Sequence, residues 1–252
     1  MIVELEHRRV ALVTGGGAGL GAAIATSLHA AGYCVAAGDI DGVAARRLAA
    51  TLDPDGQTAI GLDLDVRAKP AFIDALAQMR ARWGGVQVLV NNAALTIARP
   101  VLDISAEEFD DVIAVNLRGT FFGCQVFGGY FRDQGHGRIV NMASLAGQNG
   151  GTATGVHYAA SKGAIITLTK VFARDLAAGG VTVNCIAPGP LDLPMVHRTV
   201  PPERLAELRR LIPVGDIGDA AFIGSLVVQL ASPQAAFATG ATWDVNGGLF
   251  MR

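Results

Sequence analysis

The sequence predicts an α/β fold in one domain, a parallel sheet with helices on both faces, and three observations predict it. Short apolar runs alternate with longer helical patterns from one end to the other, as strand–helix–strand units do. Runs such as Val88–Val90 and Val181–Val183 are continuously apolar, as strands covered on both faces are. The 252 residues show no composition shift, internal repeat or long linker that would mark a second domain.

The elements follow in order. Val10–Thr14 reads as a buried strand, followed by glycines and a helix over Leu20–Ala31. Cys34–Asp39 is a second strand, and Asp41 can cap a helix running to about Leu52. Thr58–Asp63 is a third strand, Ala68–Trp83 a third helix and Val88–Asn91 a fourth strand. Ser105 with Glu108 three residues on is a capping box, opening a long helix through Asn116 to about Arg132. Arg138–Met142 is a fifth strand, Val156–Ala178 a helix and Val181–Ala187 a sixth strand. Asp219–Leu230 is another helix, and Thr242–Asn246 a last strand. Between the sixth strand and that helix, a proline-rich stretch at about 190–212 reads as a small substrate lid.

Composition excludes several classes. Charged residues make up 17% of the chain, against about 25% in an average soluble protein. So apolar a chain buries enough surface to offset its ordering entropy, which excludes disorder. The net charge of −2 and the lack of a basic stripe exclude nucleic acid as a partner. Val10–Gly38, Ile139–Ser161 and Ala220–Trp243 carry no charged residue and have the length of membrane spans. Glycines, prolines and polar residues interrupt them, so they read as buried in a core, an interface or a ligand site, and no membrane is expected as partner. Cys34, Cys124 and Cys185 are far apart, as reduced thiols of a cytoplasmic protein are, and no metal site is expected. The charged start and early glycines do not form a signal peptide.

In such sheets ligands bind beyond the carboxyl ends of the strands, so the residues just after each strand carry the functional information. After the first strand comes Thr14-Gly-Gly-Gly-Ala-Gly-Leu-Gly21. Glycines let the backbone turn tightly and approach a pyrophosphate, and the following helix aims its free N–H groups at that anion. Glycine is common here, 32 of 252 residues, so the position between first strand and first helix gives the loop its meaning. The second strand ends at Asp39, whose carboxylate can accept from the adenosine ribose hydroxyls and would repel a 2′-phosphate. NAD is therefore expected before NADP. Asp65 after the third strand can accept from the adenine amino group, and the small residues after the fourth strand let backbone approach the nicotinamide ribose.

Tyr158-Ala-Ala-Ser-Lys162 places phenol and ammonium on one helix face. A free phenol ionises near pH 10, and a nearby cation lowers that value, so the pair can exchange a proton with a substrate oxygen. Ser144, just past the fifth strand, can donate to a carbonyl oxygen, and the side-chain carbonyl of Asn116 can hold a water near Lys162.

In these residues the chain resembles the short-chain dehydrogenase/reductase family. The resemblance spans nearly its whole length: the loop Thr14–Gly21, Asp39, Asp65-Val66, Asn91–Ala94, Asn116, Ser144, Tyr158–Lys162, Pro188-Gly189 and Val245–Gly248. It implies a doubly wound sheet of seven parallel strands and a catalytic tetrad of Asn116, Ser144, Tyr158 and Lys162. Tyr158 would be the acid/base, Ser144 would polarise the carbonyl, Lys162 would bind the nicotinamide ribose and depress the Tyr158 pKa, and Asn116 would anchor a relay water. The cofactor would be held by Gly15, Gly17, Gly19, Leu20, Gly21, Asp39, Ile40, Asp65, Val66, Asn92, Ala93, Ala94, Tyr158, Lys162, Pro188, Gly189 and Leu191. Pairing of the helices around Asp110–Arg132 and Val156–Ala178 between subunits would make a homotetramer, with Ala220–Trp243 at another subunit contact. Three positions depart from the family pattern: Ala94 replaces a glycine, Leu193 stands in place of a threonine that binds the carboxamide, and Asp216 in place of an arginine.

Leu145, Gln148, His157, Leu193 and Met195 are expected to wall the substrate. They are mostly apolar and uncharged, which suits a neutral secondary alcohol or ketone. The leading expectation is an NAD-dependent oxidoreductase interconverting the two. Two alternatives stand beside it: an NADPH-dependent 3-oxoacyl carrier-protein reductase, and a nucleotide-sensing protein without turnover.

Overall fold

A computed structural model describes residues 9–151, 154–193, 196 and 201–252. The strands are β1 (Val10–Thr14), β2 (Cys34–Asp39), β3 (Ala59–Asp63), β4 (Val88–Asn91), β5 (Gly137–Met142), β6 (Val181–Pro188), β7 (Leu191–Asp192), β8 (Gly218–Asp219) and β9 (Thr242–Val245). The α-helices are α1 (Gly19–Ala30), α2 (Gly42–Leu52), α3 (Lys69–Trp83), α4 (Ala106–Ile113), α5 (Gly119–Gln134), α6 (Ala146–Asn149), α7 (Val156–Leu176), α8 (Pro202–Leu211) and α9 (Ala220–Ala231). Seven strands form one sheet in the order β3-β2-β1-β4-β5-β6-β9, with every pairing parallel.

Side chains alternate across the sheet and meet a helical layer on each face. On one face Val10, Leu12, Leu89 and Ile139 pack with Phe72 and Met79 of α3 and with Phe127 and Phe131 of α5. On the other, Ala11, Val13, Val90 and Val140 pack with Ile24 and Leu28 of α1 and with Ile223, Val227 and Leu230 of α9. Each such aliphatic or aromatic side chain contributes about 1.5–3 kcal/mol on burial. The charge-free stretch Ala220–Trp243 thus serves an internal contact: α9 lies so close to α1 that a Cβ on Gly224 would overlap the Ser27 side chain. Phe222 and Trp243 of the same stretch remain exposed. Among the described residues, no helix is long and apolar enough to cross a membrane.

Three details differ from the sequence expectation. The long helix through Asn116 is interrupted by a π-helical segment, Ala114–Arg118, between α4 and α5. Only half of the capping box forms. Ser105 Oγ accepts from Glu108 N at 3.1 Å, while the Glu108 carboxylate turns away and takes Arg99 Nε at 2.6 Å. A small parallel pair, β7 with β8, ties the stretch after β6 to the start of α9.

Candidate active site

The strand order reverses between β1 and β4, and the loops leaving their carboxyl ends diverge there. A cleft of about 480 Å³ opens at this point. Gly15, Leu20, Gly21, Asp39, Ile40, Asp65, Val66, Asn92, Ala93 and Ala94 line it as expected, joined by Ala18, Leu64, Arg67, Leu95 and Val115. Thr14 and Asn92 fasten the two loops. Thr14 Oγ1 accepts from the backbone N–H of Asn92 and Ala93 at 3.0 and 3.1 Å, and Asn92 Nδ2 donates to Thr14 O at 2.9 Å.

The loop fits a pyrophosphate-bearing dinucleotide. Gly15 has φ +62°, and a Cβ there would lie 2.8 Å from Ala93 Cα. At Gly21 a Cβ would overlap the Gly15 carbonyl oxygen. Side chains at either place would close the approach that a diphosphate needs. Ala18, at the N-cap of α1, has no polar side chain to satisfy the first-turn N–H groups, which leaves those donors to an anion. Ala94 causes no strain, since no non-glycine residue among those described has positive φ.

Asp39 is held at both oxygens, Oδ2 by Gly17 N at 2.9 Å and Oδ1 by Asp41 N at 3.0 Å. That orientation leaves further lone pairs for ribose hydroxyls. Gly17 therefore acts on the site through Asp39, and Gly19, at φ +55°, turns the chain into α1. Asp65 is less free than its spacing suggests. Arg67 binds it in a fork, Nε to Oδ1 at 2.9 Å and a terminal nitrogen to Oδ2 at 2.7 Å, and holds its carboxyl below the usual range. Arg67 itself lines the cleft and had no signal in the sequence beyond its place two residues after Asp65.

Beyond Leu95 lies the phenol. Tyr158 stands in the first turn of α7, half-buried, with the hydroxyls of Ser144 and Thr96 as hydrogen-bonding neighbours. Lys162, one turn on, is 3% exposed; its Nζ donates to Met142 O at 2.6 Å and lies 5.6 Å from the Tyr158 ring centroid. The shared helix face is as the spacing predicts, but the electrostatics differ from the expected mutual tuning. Burial raises the Tyr158 pKa, and Ser144 and Thr96 oppose it only in part. Burial also pulls Lys162 down to about 8. Both shifts have one cause: low-dielectric surroundings penalise whichever form is charged.

Asn116 is fully buried at the π segment, and its side chain is committed. Oδ1 accepts from Leu95 N at 2.7 Å, and Nδ2 donates to Leu95 O at 3.1 Å and to Ser161 Oγ at 3.0 Å. Ser161 Oγ in turn donates to Tyr158 O at 2.7 Å. The side-chain carbonyl expected to hold a water is thus occupied by backbone. π segments often mark functional sites; here the segment brings an amide to brace the loop after β4 against α7.

Other expected residues sit differently. Pro188 ends β6 and Gly189 follows it; Pro188 O accepts from Leu145 N, and Gly189 N donates to Val245 O. Leu191 pairs in β7 and packs on the core. Leu145 and Leu193 are half-buried. Gln148 Nε2 is drawn to Asp244 Oδ1 on β9 at 2.6 Å. His157 is fully buried against Glu108, away from any open wall, because consecutive helix residues point about 100° apart. Met195 lies outside the described residues. Asp216 pairs with Arg209 at 2.9 Å and takes Ile217 N, which joins α8 to the turn before β8.

Comparison with known proteins gives a consistent result. A family model described as enoyl-(acyl carrier protein) reductase matches residues 15–250. An acetoacetyl-CoA reductase of Rhizobium meliloti (strain 1021) is 41% identical over 243 residues, 96% of this chain and 98% of its own. The 3-oxoacyl-[acyl-carrier-protein] reductase FabG of Escherichia coli (strain K12) is 36% identical over 245 residues, again 96% and 98%. The crystal structure of a short chain dehydrogenase from Bacillus anthracis superposes with a TM-score of 0.88 at 27% identity, covering 99% of this chain and 98% of that one.

Proposed function

The chain belongs to the short-chain dehydrogenase/reductase family, an oxidoreductase family with a nicotinamide cofactor, and from that premise we propose that it interconverts a secondary alcohol and a ketone using NAD(H). The observation that carries the chemistry is the grouping of Ser144, Tyr158 and Lys162 next to Thr96, the residue after the cleft-lining Leu95. When bound, the nicotinamide ring supplies or takes up the hydride. Gly15, Gly21 and the first turn of α1 would hold the diphosphate, and Asp39 the adenosine ribose.

The residues act as follows in the direction of reduction. Tyr158, a phenol whose neutral form burial favours, gives its proton to the substrate oxygen. Ser144 donates a hydrogen bond to the same oxygen and stabilises the charge that develops there. The Lys162 ammonium stabilises the phenolate left behind. Of its three donors, Met142 O takes one, which leaves others for a ribose hydroxyl. Asn116 and Ser161 fix the Tyr158 backbone.

The substrate class rests on two supports. The half-buried Leu145 and Leu193 offer no charge to a carboxylate or phosphate near the reacting carbon. The relatives named for acetoacetyl-CoA and 3-oxoacyl carrier-protein reduction favour a 3-oxoacyl thioester as the ketone. The lid expected at about 190–212 lies partly outside the described residues, at 194, 195 and 197–200. In this reading the protein works as a cytoplasmic homotetramer that pairs α5 and α7 through exposed Phe121 and Val171.

For the cofactor, Asp39 sets a carboxylate in the cleft where the adenosine ribose would lie, and Arg46, the nearby cation of α2, is already engaged by Asp63 at 2.8 Å. A 2′-phosphate would meet repulsion there, so NADH is preferred to NADPH. Absorbance at the reduced nicotinamide band, followed with acetoacetyl-CoA and a panel of ketones, tests both parts. The expected result is turnover with NADH at a kcat/KM at least tenfold above that with NADPH. Preference for NADPH would transfer the assignment to the 3-oxoacyl carrier-protein reductase with that cofactor, and cofactor binding without turnover would leave a sensor.

A further inference from the structure

A second polar cluster lies beside Tyr158, where the start of α7 meets α4 and the loop after β4. His157 is 0% exposed, and neither ring nitrogen has a hydrogen bond among the described residues. Its Nε2 lies 3.3 Å from Glu108 Oε1, an ion-pair distance without hydrogen-bond alignment. The other oxygen of Glu108 takes Arg99 Nε at 2.6 Å. The three residues come from the start of α7, the first turn of α4 and the loop after β4.

That loop is stitched to the active site. Leu95 is held at N and O by Asn116, the Thr96 hydroxyl neighbours the Tyr158 phenol, and Ile97 O accepts from Gly155 N at 3.1 Å. The ring of His157 occupies the space that a side chain at 155 would need: a Cβ on Gly155 would run into it. The imidazole is thus wedged between the N-terminus of α7 and Glu108, beside the catalytic turn. Burying an imidazole and a carboxylate costs free energy unless each meets the other. This pair makes sense as a contact that draws α4 and its attached loop onto α7.

We propose that His157, Glu108 and Arg99 form a clamp that positions Tyr158, with His157 as a positioning residue that touches neither substrate nor cofactor. The clamp fixes the entry of α7 and the Leu95–Ile97 strand of loop together, so that the hydroxyls of Thr96 and Ser144 meet the phenol. Its loss lets the first turn of α7 shift relative to Ser144 and lowers the rate of proton transfer. The cofactor cleft, built on the loops after β1, β2, β3 and β4, meets the clamp only at Leu95, whose backbone Asn116 holds on its own.

This inference rests on Tyr158 as acid/base, and its test separates the two. Steady-state kinetics with acetoacetyl-CoA and NADH are measured for His157→Leu, His157→Gln, Arg99→Gln and Tyr158→Phe. The expected outcome is a kcat about tenfold lower in His157→Leu with the KM for NADH within twofold of the parent. In His157→Gln, whose amide can still donate toward Glu108, kcat returns to within about threefold. A kcat in His157→Leu within twofold of the parent, or a glutamine variant no better than leucine, overturns the clamp. If His157→Leu does not fold, Arg99→Gln at the half-exposed end decides: kcat falls about threefold, and an unchanged kcat overturns the proposal. Full activity in Tyr158→Phe would instead sink the acid/base reading. If acetoacetyl-CoA is not turned over, amide hydrogen exchange at Gly155 and across Leu95–Ile97 still reads the clamp. Exchange is faster in His157→Leu and parental in His157→Gln, and unchanged exchange in both overturns it.

Discussion

Lys162 is where stability and chemistry are opposed most directly. Its pKa is depressed from 10.5 to about 8 by burial, so the folded protein resists the charge that the chemistry needs. One pKa unit is about 1.4 kcal/mol, which puts the penalty near 3 kcal/mol below pH 8. The folded pKa lies below the unfolded one, so between pH 8 and 10.5 the unfolded chain binds more protons and stability rises with pH. Below 8 the penalty is fully present. Lys162→Met keeps the length and apolar stem, removes the charge and forfeits the bond to Met142 O, a loss of about 1.5–3 kcal/mol for a charged donor. The net is a gain of about 1 kcal/mol, or roughly 2–4 °C in Tm for a chain of this size, alongside loss of turnover. The sharper signature is the pH trend. The Tm advantage of the variant should shrink from pH 7 to pH 10, as the parent lysine neutralises in the folded state. Calorimetry at fixed protein concentration reads it. A variant that is less stable than the parent at pH 7, with a gap that does not change by pH 10, would refute the idea that a buried charge is being carried at a cost.

Further outcomes follow from the same geometry. Ser144→Ala should lower kcat by about 10²–10³ with little change in NADH affinity, because it removes a donor aimed at developing charge, and pre-steady-state kinetics would separate the two. Gly21→Ala should abolish NADH binding by fluorescence while the sheet survives by circular dichroism, since the added methyl strikes the Gly15 carbonyl. Phe127→Ala should cost about 3–5 kcal/mol in urea unfolding, as it empties a ring packed between Phe72 and Phe131.

Much of this was legible in the residues because several independent signals agreed. β2 and β4 fall at Cys34–Asp39 and Val88–Asn91 as read, since continuous apolar runs ended by polar residues leave little latitude for strands covered on both faces. Asp41 caps α2 through Ala44 N, the local hydrogen bond its side chain promised. The glycine loop and Tyr158–Lys162 were legible because their function depends on spacing within one turn. What escaped depends on contacts from elsewhere in the chain. The π segment at Asn116 is accompanied by bonds to Leu95 and Ser161, which no local pattern announces. Arg67 meets Asp65 through a fork that propensity does not encode. The direction of the Tyr158 shift follows from burial by loops distant in sequence, so the helix spacing alone pointed the wrong way. His157 looked like a wall residue by its place beside Tyr158, yet the 100° step between helix neighbours turns it into a buried contact with Glu108.

The acid role of Tyr158 is tested most directly by the pH dependence of single-turnover hydride transfer from NADH to acetoacetyl-CoA, in the parent and in Tyr158→Phe. An ordinary phenol is protonated throughout the neutral range and burial favours that form further, so the proton donor stays loaded there. The expected parent profile is flat from pH 6 to 7 and declines as the pH rises through about 8, where Lys162 loses its proton, and Tyr158→Phe is slower by at least about 10² at every pH. A parent rate that falls steadily between pH 6 and 7, or a phenylalanine variant that transfers hydride at the parental rate, would contradict it.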